Sequence, residues 1–238
     1  MSSKEQMLER VRHALGRSAG AGGSTRAELP EAGRVLAPIP AGGLVDHFEK
    51  ELRALSGVAY RAGSMAELEA ILMQILPPAG ATVMLSRNPL LARLGIAQRL
   101  EAYRCLSWTD PGAAADREEF RRLCFAASVG MTGADFALAE SGTLVLTSAI
   151  EGSQLVSLAP PVHVALYTRS QVVESLEEVL EGLQPARAEE RHVCGRSAVF
   201  VSGPSRTADI EQISIRGVHG PVQVHAILVE ESCLQTSA

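Results

Sequence analysis

SMAELEAILMQILPPAGATVMLS, residues 64–86, holds a complete helix-to-strand unit. Ser64 and Glu67 stand three apart, the spacing of a capping box that closes a helix start. Met65, Leu68, Ile71, Leu72, Ile75 and Leu76 then recur on one helical face. Pro77-Pro78 ends that helix, because proline has no N–H to donate and clashes with the preceding turn. Thr82-Val83-Met84-Leu85-Ser86 follows as a short apolar run, the signature of a buried strand.

The same alternation extends in both directions. Upstream, Leu44, Phe48, Leu52 and Leu55 predict a helix over 44–56, followed by a strand at 58–60. Downstream come a helix over 89–101, a strand at 104–107 and a polar helix over 113–122. The small-residue run 125–130 ends in a glycine-rich turn. Residues 135–138 and 143–147 read as two strands joined through Glu140-Ser141-Gly142. Pro160-Pro161 precedes a strand at 162–167, and Ser170 is placed to cap a helix carrying Val172, Val173, Leu176, Val179 and Leu180 inward. Strands at 198–201 and 224–229 complete the pattern. Strands alternating with helices predict an α/β fold, a parallel or mostly parallel sheet layered with helices.

Residues 44–238 are thus expected to form one domain. Before it, residues 1–43 combine a short amphipathic helix (Met7, Leu8, Val11, Ala14, Leu15) with a Gly/Ser/Pro-rich linker. The chain has 238 residues, 46% apolar and 21% charged, which is enough to build a core without disulfide or metal staples. No apolar stretch is long enough to span a bilayer, and the charged first ten residues are unlike a signal peptide, so a cytoplasmic location is expected. Cys105, Cys124, Cys194 and Cys233 are too scattered for a zinc motif or an iron–sulfur ligand run, so no cofactor or metal is expected in this chain. The net charge is −5, with the acidic excess gathered in Glu174, Glu177, Glu178, Glu181, Glu189 and Glu190. With no basic stripe among aromatics, nucleic acid is not an expected partner.

Three loops carry residue types suited to chemistry. The first, Gly130 to Thr143 (GMTGADFALAESGT), sets Asp135 and Glu140 at the two ends of a strand as candidate acid, base or nucleophile. Thr132, Gly133, Ser141, Gly142 and Thr143 could bind a ligand there; an ordinary tight hairpin explains the same residues. The second, Ser202 to Glu211, presents Gly203, Ser205, Arg206 and Thr207 after a strand, with a helical turn expected from about Thr207. Such donors suit a carboxylate or phosphate, although Ser205 or Thr207 could equally be a helix cap. The third, Arg216 to Pro221, holds His219 between glycines, where it could act as general acid or base or serve structure alone. His163 and His225 fall within strands and read as residues of the core or its edge.

Together GMTGADFALAESGT (130–143), GPSRTADIE (203–211) and GVHGP (217–221) resemble the LUD-domain family, over about residues 44–230. The resemblance implies a fold like that of the NagB/RpiA/CoA-transferase group. It implies a part in oxidising L-lactate to pyruvate, alongside cysteine-rich partner proteins that carry the iron–sulfur clusters. It transfers no catalytic role firmly onto Asp135, Glu140, Arg206 or His219. Two alternatives stay open. Glu140-Ser141-Gly142 is similar to the element bearing the acyl-accepting glutamate of one class of CoA transferases, so an independent transferase or isomerase is one. A regulatory module that binds a small anion is the other.

Overall fold

The computed structural model describes residues 3–14, 38–107, 114–183, 195–208, 214–216 and 220–235. The chain divides into two compact units, Met1–Ala37 and Pro38–Ala238. In the first, helix α1 spans Ser3–Ala14.

The second unit begins with α2 (Leu44–Ala54), β1 (Val58–Ala62), α3 (Met65–Ile75) and β2 (Thr82–Leu85). Next come α4 (Pro89–Arg93), α5 (Ile96–Arg99), β3 (Arg104–Ser107), α6 (Ala114–Ala126) and β4 (Val129–Thr132). The middle of the unit holds β5 (Phe136–Leu138), β6 (Thr143–Thr147), α7 (Ser148–Glu151), α8 (Leu155–Leu158) and β7 (Val162–Tyr167). It closes with β8 (Val172–Val173), α9 (Leu176–Leu183), β9 (Ala198–Val201), β10 (Arg206–Ala208), β11 (Ser214–Arg216), β12 (Gln223–Val229) and α10 (Glu231–Gln235). The anticipated α/β architecture is present. Six strands form one sheet in the order β1-β12-β7-β4-β2-β3, every pair parallel.

Alternation along these strands sorts the core onto two faces. Val83, Leu85, Val129, Met131, Val164, Leu166, Ile227 and Val229 meet Leu68 and Leu72 of α3, Leu91 of α4, Ile96 of α5 and Cys233 of α10. On the opposite face, Ala165, Tyr167, Ala226 and Leu228 pack against Val45, Phe48 and Leu52 of α2. A second sheet, ordered β8-β5-β6-β9, adds Leu144, Leu146 and Val201 to that core. Farther along the same face, Met84 packs with Cys124 of α6 and Val156 of α8. Gly130 permits this, since a Cβ there would fall 1.8 Å from the Val156 carbonyl oxygen.

Several expected elements differ in detail. Residues 89–101 form two short helices broken at Gly95, which takes φ +61°. Gly130 to Thr132 are strand rather than turn, all buried. Ser170 opens no long helix. Arg169–Gln171 is a 3-10 turn closed by Thr168 and Gln171, and Val172-Val173 pair with Ala137 and Leu138 as β8. The two β-branched valines fit a pleated ladder better than a helix. Thr207 likewise starts no helical turn, because Arg206–Ala208 pairs antiparallel with Ser214–Arg216. Asp209, Glu211 and His219 lie outside the described residues.

Strand order marks one end of the sheet as the candidate place for a ligand. From β2 the chain proceeds to β3 on one side, whereas β4 leads on to β7 on the other. The order reverses between β2 and β4, and open parallel sheets bind ligands outside the carboxyl ends of strands at such a reversal.

Candidate functional site

At the carboxyl end of β2 the sequence reads Ser86-Arg87-Asn88-Pro89. Asn88 caps α4: its Oδ1 accepts from the Leu90 N–H at 2.9 Å, and Pro89 takes the helix position that has no N–H to lose. This cap turns the other half of the amide inward, where Nδ2 donates to Oε1 of Glu151 at the end of α7. Gly133, just past β4, makes room, for a Cβ there would lie 2.2 Å from Asn88 Nδ2. The Arg87 guanidinium donates to the Ala149 carbonyl at 2.7 Å, and the Arg87 N–H donates to the Glu151 carbonyl at 3.3 Å. Both bonds hold α7 against the β2 end.

Glu151 is 3% exposed, and its Oε2 closes no hydrogen bond among the described residues. Burial is the main influence on this carboxyl and pushes its pKa up to about 7. The Ser86 hydroxyl, the Asn88 amide and the Gly133 N–H favour the ionised form, and the charge of Asp135 opposes it. Asp135 is itself raised by burial, offset in part by Thr147, whose N–H donates to Oδ2 at 2.6 Å. Next to them Thr132 is buried, its hydroxyl 2.8 Å from His163 Nε2. Burial drives His163 down to about 3, so it stays neutral.

The remaining candidates gather elsewhere, along the seam between α2 and the second sheet. Gly142 takes φ +62° against the α2 backbone. The Ser141 and Thr143 hydroxyls lie 2.8 Å apart, and Thr143 reaches Ser202 Oγ at 2.7 Å. Gly203, at φ +87°, closes on the Leu55 carbonyl. Arg206 donates to that same carbonyl at 2.9 Å and to the Ser56 hydroxyl, while Ser205 N–H donates to Pro221. These bonds fasten the end of α2, where a helix dipole welcomes a cation. Glu140 accepts from the Leu176 N–H at 3.0 Å and so caps the start of α9. Thr207 lies on β10.

The structure therefore brings Thr132, Gly133 and Asp135 to the β2/β4 end and places Ser141, Gly142, Thr143, Gly203, Ser205 and Arg206 on the seam. Sequence reading missed Ser86, Asn88 and Glu151. The Asn-Pro dipeptide after a strand was a usable signal for Asn88. Glu151 carries none, because nothing local distinguishes a buried glutamate from a surface one.

Comparison with known proteins fits this architecture. The family model described as the LUD domain matches residues 45–229. The chain belongs to the LUD domain family. Over 240 residues it is 28% identical to lactate utilization protein C of Bacillus subtilis, covering 97% of this chain and 98% of that one. It is 35% identical to the uncharacterized protein YkgG of Escherichia coli over 63% of each chain. With lactate utilization protein C of Halalkalibacterium halodurans the identity is 40%, over 44% of this chain and 45% of that protein. Several of these matches thus span only about half to two thirds of the relative's length. A crystal structure of a DUF162 family protein from Deinococcus radiodurans shares the fold, with TM-score 0.57 and 21% identity over 81% of this chain and 99% of that chain. The matched LUD region, 45–229, contains both the β2/β4 end and the α2 seam.

Proposed function

We propose that this chain serves lactate utilisation as a component without an iron–sulfur cluster of its own. It binds a small carboxylate and works beside cysteine-rich iron–sulfur partners in the cytoplasm. The observation that carries this reading is the near full-length alignment with lactate utilization protein C of Bacillus subtilis. L-lactate loses two electrons and two protons on becoming pyruvate, and the partners' clusters would take the electrons. The three cysteine thiols among the described residues suit that division of labour. Burial raises Cys105, Cys124 (to about 12) and Cys233, which disfavours the thiolate that a cluster needs. Among the described residues, no group of three or more His, Cys, Asp or Glu is placed to hold a metal ion. No helix of the described residues is long and apolar enough to cross a membrane.

The test is genetic and biochemical. Deleting the gene should abolish growth on L-lactate while sparing growth on pyruvate, and the tagged chain should co-purify with iron-containing proteins that oxidise lactate. Unimpaired growth on lactate would overturn the reading, as would full lactate oxidation by the isolated chain.

A further inference from the structure

Glu151 joins three independent features. It lies where the strand order reverses. Its side chain is 3% exposed, yet Oε2 has no hydrogen-bond partner among the described residues. The groups around it are mostly neutral. The Asn88 amide donates to Oε1, while the Ser86 hydroxyl at the β2 end and the Gly133 N–H at the β4 end lie near enough to favour the ionised form without closing a hydrogen bond on Oε2. Of the charged groups there, Asp135 acts on it directly, and Arg87 turns its guanidinium to the carbonyls of Ser148 and Ala149. A buried polar atom without a partner carries an uncompensated desolvation cost. A ligand oxygen placed against Oε2 removes that cost.

We propose that the β2/β4 end is the carboxylate-binding site of this chain, and that Glu151 receives the ligand as a protonated carboxyl donating to a ligand oxygen. This rests on the preceding reading of the chain as a carboxylate-binding component. The proton balance is simple. In the ionised protein, a proton from solvent joins Glu151 as the ligand carboxylate enters, and no bond of the ligand breaks. An anion arriving beside Asp135 and Glu151 would otherwise set three like charges together, which holds at least one carboxyl in its neutral form. A carboxylic acid kept neutral in an apolar site is an effective donor to an oxyanion.

Calorimetric titration of the full chain with L-lactate and with pyruvate, in buffers of different ionisation enthalpy, counts the protons. Above neutral pH the wild type should take up close to one proton per ligand, with Kd rising by up to about tenfold per pH unit. Glu151→Gln keeps a donor but cannot ionise, so it should bind with no proton uptake and an affinity independent of pH. Unchanged uptake in Glu151→Gln would overturn the proposal, as would proton release or no uptake in the wild type. No binding of either acid at millimolar concentration would overturn it too. Should Glu151→Gln fail to fold, infrared spectroscopy of the wild type decides: lactate added above neutral pH must raise a protonated-carboxyl band, and its absence overturns the proposal. A strain that needs the gene for growth on lactate while the titration fails would reject this site and leave the functional reading standing.

Discussion

Two polar regions of this fold come from similar-looking sequence and do opposite things. At the seam between α2 and the second sheet, Ser141, Thr143, Ser202 and Arg206 all have partners, and two positive-φ glycines bring backbones together. At the β2/β4 end, a buried carboxyl stands with one oxygen unpartnered among the described residues and its proton held to about neutral pH. The seam satisfies its polar groups and gains rigidity. The sheet end leaves three buried atoms unpartnered among the described residues, Glu151 Oε2, Thr147 Oγ1 and His163 Nδ1, and of these groups only the Glu151 carboxyl titrates near neutral pH.

Substitutions can break this contrast, beginning with the seam. In Gly142→Ala the new Cβ would lie 2.1 Å from the Leu52 nitrogen, in a residue already at φ +62°. Overpacking and left-handed strain together should cost about 3–4 kcal/mol, read by denaturant unfolding. A loss below about 1 kcal/mol would show that the seam yields rather than locks.

The sheet end should respond to pH instead. The folded-state pKa of Glu151 lies above its ordinary value of 4.5, so its contribution to stability is fully present below 4.5 and is lost as pH rises through about 7. The wild type should lose up to about 3 kcal/mol over that range relative to Glu151→Gln. His163 runs the other way. Its depressed pKa makes its contribution present above 6.5 and lost as pH falls toward about 3. Because both proteins contain His163, the difference between their stability curves isolates Glu151. Parallel curves would remove the proton from the account.

The smallest effect belongs to Arg206. Its bonds to the Leu55 carbonyl and Ser56 are charge-assisted but solvent-exposed. Arg206→Ala should therefore cost about 1 kcal/mol in unfolding experiments and leave lactate affinity unchanged. A loss of lactate binding without loss of stability would move the ligand site to the seam.

Much of the fold was legible because periodicity reports burial directly. The 64–86 unit forms as read, with Ser64 Oγ accepting from the Glu67 N–H at 3.2 Å and Leu68 and Leu72 buried. The hairpin through Gly142 is present as well, with Phe136, Ala137 and Leu138 opposite Val145, Leu144 and Thr143. Reading failed where tertiary pairing overrides local pattern: Val172-Val173 joined a sheet instead of a helix, and Thr207 joined a two-strand ladder. The site was half legible for a related reason. Thr132, Gly133 and Asp135 were flagged by glycine-rich context, but Glu151 follows Asn88 by 63 positions and meets it only once α7 is held against the β2 end. Strand order is a property of the whole chain, and no window around Glu151 contains it.

The most direct measurement is the titration of the Glu151 side-chain carboxyl by carbon-13 NMR, assigned with Glu151→Gln. A midpoint near 7, set by burial and by Asp135, is expected. A midpoint at the ordinary glutamate value of 4.5 would contradict it and leave the β2/β4 end as inert as the seam.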